Sequence, residues 1–179
     1  MTQAEFCESL FSYIGNSYYN RDQAHLVFKR YDCDMDSRIS FREWMRLVVP
    51  TNSVLSRLLL GRNPVADRVS QETQDLFKRV LKAHLNLEQA HEYLRQRLTK
   101  VRGAEGWSLR ELFDAIDQER KGTLSVYDLE KLIIQQRKGG SRNIVEETEL
   151  LVALYDRSGY GKISFVDFQN ELIPKLVEE

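Results

Sequence analysis

A row of alternate aspartates in residues 32–43 could bind a hard metal ion. Counted from the first aspartate, carboxylates stand at positions 1, 3, 5 and 12, a hydroxyl at position 9 and a backbone carbonyl at position 7. Calcium requires six or more oxygens at short range, and a tight loop of 12 residues can supply them. Without a cation, three alternate aspartates repel one another. We therefore predict one calcium site, with the ligands Asp32, Asp34, Asp36, Arg38, Ser40 and Glu43.

Similar segments recur along the chain, which indicates internal repeats. Residues 26–32 recur 124 positions later at 150–156, and residues 39–43 recur at 163–167 by the same offset. A third copy of the central part lies at 113–128. Similarity at a fixed offset is the mark of repeated structural units. Each unit has the pattern of a helix, a polar loop and a second helix.

The other two loops are poorer in oxygen donors. In residues 117–128, Lys121 places an ammonium at position 5, and Asp128 at position 12 is shorter than a glutamate. These features favour weak binding or a smaller ion such as magnesium. In residues 156–167 position 5 is Tyr160, whose phenol is a weak ligand. We expect the second loop to bind metal weakly or to be empty, and the third loop to be empty.

All three loops also have an explanation that requires no metal. Each ends with a hydroxyl three residues before a carboxylate, which is the pattern of a helix capping box or a near relative of it. The pairs are Ser40 with Glu43, Ser125 with Asp128, and Ser164 with Asp167. Only Asp34 and Asp36 have no capping role, and it is these two residues that favour the metal site.

The loops resemble those of the EF-hand family, over the first 50 residues and over residues 108–174. The first loop departs from the family pattern at position 6, where Ser37 replaces the usual glycine at a cost of about 1 kcal/mol. The resemblance implies an all-α fold of EF-hand helix–loop–helix repeats, in two lobes joined by a long helix. In this family neighbouring loops pair through a short strand at position 8. That position is occupied here by Ile39, Leu124 and Ile163.

We expect three regions along the chain. Residues 1–50 form an N-terminal EF-hand lobe, which contains one complete hand after a remnant of an exiting helix. Residues 51–104 form a connector with a long helix at 72–101. Residues 105–179 form a C-terminal EF-hand pair.

The remnant helix at 3–14 has two explanations. Glu5 stands where Asp128 stands in its own repeat, which indicates that the chain begins inside a repeat, as a fragment, a short isoform or a worn-down relative. Alternatively, the helix merely imitates an exiting helix. The first loop would accordingly pair with the remnant, with another subunit, or with nothing.

The long helix is predicted because residues 72–101 contain neither glycine nor proline. Ser70 would cap it, and Gly103 and Gly106 would end it. Leucine, valine and histidine residues recur along this helix at spacings that alternate between four and three. This pattern predicts a seam that packs against another helix. Its residues are Val80, His84, Leu87, His91, Leu94, Leu98 and Val101. The helix either lies on its own domains or forms a coiled coil with another chain. A metal site at His84, Glu88 and His91 is disfavoured because the pattern is nonspecific.

Composition and charge disfavour several functions. Lys+Arg 26 against Asp+Glu 27 gives a formal net charge of -1, so we expect no nucleic-acid partner. The two cysteines, Cys7 and Cys33, are too few for a disulfide framework and indicate a reducing compartment. The most apolar stretch is too short to span a bilayer, so we expect no membrane insertion. Because no catalytic motif is recognisable, we do not expect an enzyme.

The sequence thus predicts an EF-hand calcium-binding protein that acts as a scaffold or a light-chain-like subunit. Its partner would be a protein, either an amphipathic helix or a cytoskeletal lattice, within a larger assembly. The segments that end at Pro50 and Pro174 resemble EF-hand proteins of protist and ciliary cytoskeletons. This resemblance implies a cytoskeletal or ciliary location, and the low cysteine content implies a cytoplasmic protein. The alternative is a constitutive structural subunit with no functional metal site.

Overall fold

The computed structural model describes residues 1–15, 19–63, 69–101, 107–136 and 143–176. These residues form mainly helices, so the predicted all-α class is confirmed. The helices are α1 (Gln3–Ile14), α2 (Arg21–Tyr31), α3 (Phe41–Val48), α4 (Ser53–Leu60), α5 (Gln71–Lys100), α6 (Leu109–Ile116), α7 (Val126–Gln136), α8 (Ile144–Tyr155) and α9 (Phe165–Leu172). Two short strands are β1 (Thr123–Leu124) and β2 (Ile163–Ser164). The chain divides into two compact units, Met1–Thr99 with Pro174–Glu179, and Lys100–Ile173.

The core of the first unit lies among α1, α2, α3 and α5. Phe6 is 1% exposed, and its ring meets the rings of Phe28 and Trp44 edge to face, at 5.8 and 6.3 Å. Helices α1 and α2 begin with capping boxes at Thr2 and Asn20. These contacts fix the end of α2 and the start of α3, between which the first loop lies.

The residues that precede α1 pair with the first loop. The Ile39 amide donates to the Met1 carbonyl at 2.7 Å, and the Met1 amino group donates to the Ile39 carbonyl at 3.0 Å. Thr2 and Arg38 form an antiparallel bridge. The first loop therefore pairs, at position 8, with the residues that precede α1 and not with another subunit. Glu5 forms a capping box with Thr2, as Glu43 does with Ser40.

The long helix α5 lies in the first unit up to Thr99, and its buried face differs from the predicted seam. The predicted cap is confirmed, since the Thr73 amide donates to the Ser70 hydroxyl at 3.2 Å. The two glycines expected to end the helix, Gly103 and Gly106, lie outside the described residues. The buried residues are Leu81, Leu85, Glu88, Glu92 and Arg95. The predicted seam residues Val80, Leu87 and Leu94 are exposed, so the seam was placed about one position away from the face that packs.

The second unit contains two helix–loop–helix hands whose loops pair. Strands β1 and β2 are antiparallel and match Leu124 with Ile163, the residues predicted at position 8. Phe113 is fully buried, and its ring lies 5.4 Å from the rings of both Phe165 and Phe168. The pairing places the second and third loops side by side.

Helix α4 buries none of its residues although five of its eight are apolar. Its start is capped by Asn52, which accepts from the amides of Val54 and Leu55. Among the described residues, no helix is both long enough and apolar enough to cross a membrane.

Candidate metal centre

The first loop joins the end of α2 to the start of α3. Asp32 caps α2 at its carboxyl end, and Ser40 caps α3 at its amino end. Asp32, Asp34 and Asp36 each offer a carboxylate oxygen, and the three oxygens lie within 4.8 Å of one another. Two oxygens that each lie about 2.4 Å from a calcium ion are at most about 5 Å apart. The spacing of the three aspartates therefore fits a calcium ion between them.

Backbone amides hold the loop in its turn. The amides of Asp36 and Ser37 donate to the Asp32 carboxylate, both at 3.1 Å, and the Arg38 amide donates to Asp36 at 2.8 Å. Ser37 has a φ of 63°. Position 6 thus adopts the left-handed conformation that glycine adopts most readily, at a cost of roughly 1 kcal/mol for serine.

Glu43 closes the loop and is 6% exposed. One of its oxygens accepts from the Ser40 amide and hydroxyl at 2.9 and 2.7 Å, and the other accepts from the Cys33 amide at 2.7 Å. Burial alone would raise the pKa of Glu43, but these donors outweigh it, and the pKa lies below its ordinary value. The capping role considered for this residue is confirmed. Glu43 lies outside the group formed by the three aspartates.

Negative charge accumulates around Asp32, which is 8% exposed. Burial raises the pKa of Asp32, and the hydrogen bonds from the Ser37 and Asp36 amides lower it. The negative charges of Asp36 and Glu43 raise it again, so the pKa of Asp32 lies above its ordinary value. A raised pKa means that the ionised carboxylate is held at a free-energy cost. A bound cation offsets such a cost. The structure thus brings together three of the six predicted ligands, and Arg38, Ser40 and Glu43 remain predicted ligands.

The second loop contains its own cation. The Lys121 ammonium lies 2.9 Å from both carboxylate oxygens of Asp128 and 3.4 Å from Glu119. The bond to Asp128 is the main cause of the raised pKa of Lys121. Burial raises the pKa of Asp128, but its hydrogen bonds with Ser125 and Lys121 lower the pKa by more than burial raises it. The pKa of Asp128 therefore lies below its ordinary value. The lysine was predicted to oppose metal binding, and this stays a prediction; the structure shows its ammonium between Asp128 and Glu119.

The third loop satisfies its first carboxylate internally. Asp156 accepts from the Ser158 hydroxyl and the Gly159 amide at 2.8 Å each, and from the Gly161 amide at 2.6 Å. Burial raises the pKa of Asp156, but these donors lower it, and the net shift is downward. Tyr160 is 84% exposed, so its phenol does not face the loop interior. The donors around Asp156 are all groups of the loop itself, and the empty third loop stays a prediction.

A buried polar network, not predicted from the sequence, lies beside the first loop. Glu88 of α5 is 2% exposed and bonds to Arg30, which lies two residues before Asp32. Arg95 approaches Glu88 at 3.6 Å. The His84 ring bridges the Tyr31 hydroxyl at 3.1 Å and the Leu47 carbonyl at 3.0 Å. The sequence holds one signal for it, an arginine and a tyrosine placed directly before the loop.

Comparison with known proteins agrees with this geometry. Residues 108–172 match the family model of the EF-hand domain pair, which covers the two hands joined by β1 and β2. Residues 108–172 therefore contain an EF-hand domain pair. The chain is also similar to centrin-1 of Bos taurus, with 35% identity over 71 residues. The match covers 40% of this chain and 40% of that centrin, so the chain spans well under half of the relative's length.

Proposed function

We propose that this chain is a non-enzymatic calcium-binding scaffold or light-chain-like subunit, with one calcium site in residues 32–43. The cluster of Asp32, Asp34 and Asp36 is the observation that supports the calcium site. Among the residues that the structure describes, it is the one group of three or more acidic, histidine or cysteine side chains close enough to share an ion. The second and third loops balance their carboxylates with Lys121 and with backbone donors instead.

The ligands of the proposed site are three aspartate carboxylates, the Arg38 carbonyl, the Ser40 hydroxyl and the Glu43 carboxylate. A calcium ion supplies positive charge to a loop in which burial and neighbouring carboxylates already raise the pKa of Asp32. Glu43 belongs to α3, and Asp32 ends α2. An ion held by both would link the two helices of the hand more firmly.

The partner is a protein, either an amphipathic helix or a cytoskeletal lattice. The similarity to a centrin and the family match of the C-terminal pair support an EF-hand protein that acts by binding. We further propose a cytoplasmic location, at a cytoskeletal or ciliary assembly. The second candidate is a constitutive structural subunit in which no loop binds metal. It is favoured by the internal charge balance of the second and third loops.

Calorimetric titration of the chelator-stripped protein with calcium, in the presence of magnesium, tests the site. We expect one site, and we expect Asp34→Ala with Glu43→Gln to abolish it while the second unit stays folded. Asp114→Ala is the matched control, because this carboxylate is exposed, lies in α6 and pairs with Arg110. Unchanged calcium binding in the double variant would show that the site is elsewhere. A wild-type protein that gives no heat would favour the structural subunit.

A further inference from the structure

One face of α5 lies in an apolar groove of the amino-terminal hand. Phe77, Leu81 and Leu85 follow one another at intervals of four, and Leu81 and Leu85 are 3% and 0% exposed. Leu81 and Leu85 are part of the core of the first unit, Phe77 packs against it, and α1, α2 and α3 supply most of its other side chains. A helix that lays residues of this spacing into a hydrophobic groove uses a common mode of peptide recognition.

Phe77 packs against aromatic side chains of α1 and α3. Its ring centre lies 5.6 Å from that of Tyr13 and 6.1 Å from that of Trp44. Trp44 in turn lies 6.3 Å from Phe6. A partly open apolar pocket of about 230 Å³ lies between these rings and Leu81. The apolar surface of the groove thus continues to the protein surface beside α5.

Polar contacts fix the register of α5 on the same surface. The side-chain amide of Gln23 donates to Gln89 at 2.5 Å, and the Tyr13 hydroxyl donates to the Gln74 carbonyl at 3.5 Å. His84 contacts α2 and α3 through its two ring nitrogens. These contacts extend from residue 74 to residue 89 and specify one position of the helix.

We propose that residues 77–88 of α5 are an internal ligand of the amino-terminal hand, and that they occupy the groove in which a partner's amphipathic helix would bind. The inference rests on the proposed function for the class of partner, an amphipathic helix. A tethered ligand acts at an effective concentration on the order of millimolar, so a free helix competes poorly. The groove accepts a partner only in the fraction of molecules from which α5 has withdrawn.

The test uses the full chain and a synthetic peptide of residues 71–90. Trp107→Phe leaves Trp44 as the sole tryptophan, since the chain contains two, and its fluorescence then reports on the groove. In this background Phe77→Ala with Leu81→Ala weakens docking. Leu76→Ala with Val80→Ala is the matched control, because both residues lie on the same helix and are exposed.

We expect the peptide to change Trp44 fluorescence saturably in the docking variant, with at least tenfold higher affinity than in the wild type or the control. Equal affinity in all three proteins would overturn the proposal, because the groove would then be open. Failure of the folded docking variant to bind the peptide would also overturn it. If that double variant and Phe77→Ala alone both unfold the first unit, α5 is part of the core and not a ligand.

A second measurement needs no variant. By hydrogen exchange in the wild type, the amides of residues 81–88 should exchange faster than those of α1 and α2, because α5 withdraws while the rest of the hand stays folded. Identical protection in all three helices would contradict the proposal. Both experiments contain chelator and no native partner, so a failure of the calcium site would not alter their outcome.

Discussion

The Lys121 ammonium lies 2.9 Å from each carboxylate oxygen of Asp128. In a loop that binds calcium, position 12 supplies carboxylate oxygens to the metal and position 5 supplies another oxygen. Here a side chain from position 5 delivers a positive charge to position 12 directly. The Lys121 ammonium, which is part of the chain itself, therefore supplies the positive charge that stabilises the closed shape of the second loop.

Replacing this lysine should convert the loop into a metal site. In the Asp34→Ala, Glu43→Gln background, Lys121→Asp removes the ammonium and adds an oxygen ligand beside Asp117, Glu119 and Asp128. We expect one weak site for calcium or magnesium by calorimetry, where the parent shows none. Lys121→Met is the control, since it removes the charge without adding an oxygen. No heat with Lys121→Asp would mean that the short Asp128 side chain prevents binding by itself.

Position 6 of the first loop offers a prediction about stability. Ser37 has a φ of 63°, which costs about 1 kcal/mol for a residue with a Cβ. Ser37→Gly should raise the free energy of unfolding of the metal-free protein by up to about 1 kcal/mol in urea denaturation. The reciprocal change is Gly122→Ser, at a φ of 76° in the second loop, which should lower it by a similar amount. A loss of stability in both variants would show that strain is not the dominant effect.

His84 should make the first unit sensitive to mild acid. Burial lowers the pKa of His84 below its ordinary value of 6.5, and the positive charge of Arg30 lowers it further. The hydrogen bond to the Leu47 carbonyl and the negative charge of Glu88 oppose this decrease without cancelling it. The unfolded chain therefore binds a proton more readily than the folded one, so stability is full above about pH 6.5 and falls below it.

Urea unfolding of the wild type and of His84→Gln at pH 7.5 and 5.5 measures this effect. We expect the wild type to lose more stability between the two pH values than the variant, because carboxylates such as Asp32 contribute equally to both proteins. An equal loss in the two proteins would assign the acid sensitivity to other groups.

The sequence predicted the local structure well where one short motif determines it. Ser40 with Glu43 and Ser164 with Asp167 form the capping boxes expected from their spacing, and Leu124 pairs with Ile163 as expected at position 8. Such features depend on residues close together within one repeat, or on a family pairing rule. The three clustered aspartates follow from the same local spacing.

Long-range packing was harder to predict. The face of α5 that packs contains Glu88, Glu92 and Arg95, whose charges would ordinarily indicate an exposed face. They are buried because they bond to Arg30, to one another and to backbone amides distant in the sequence. Similarly, the type of residue at position 121 indicated that metal would be opposed, but not that its ammonium would reach Asp128.

The carboxylate of Glu92 accepts hydrogen bonds from the amides of Lys175 and Leu176, at distances from 2.9 to 3.0 Å. These two residues follow the second unit in the chain but belong to the first. During synthesis the ribosome makes residues 1–99 first, yet the amides that satisfy Glu92 emerge only after the whole second unit has been translated. The first unit therefore completes its contacts only after the second unit has been made. In a nascent chain stalled before residue 175, the Glu92 carboxylate would lack the two amides that donate to it in the full chain.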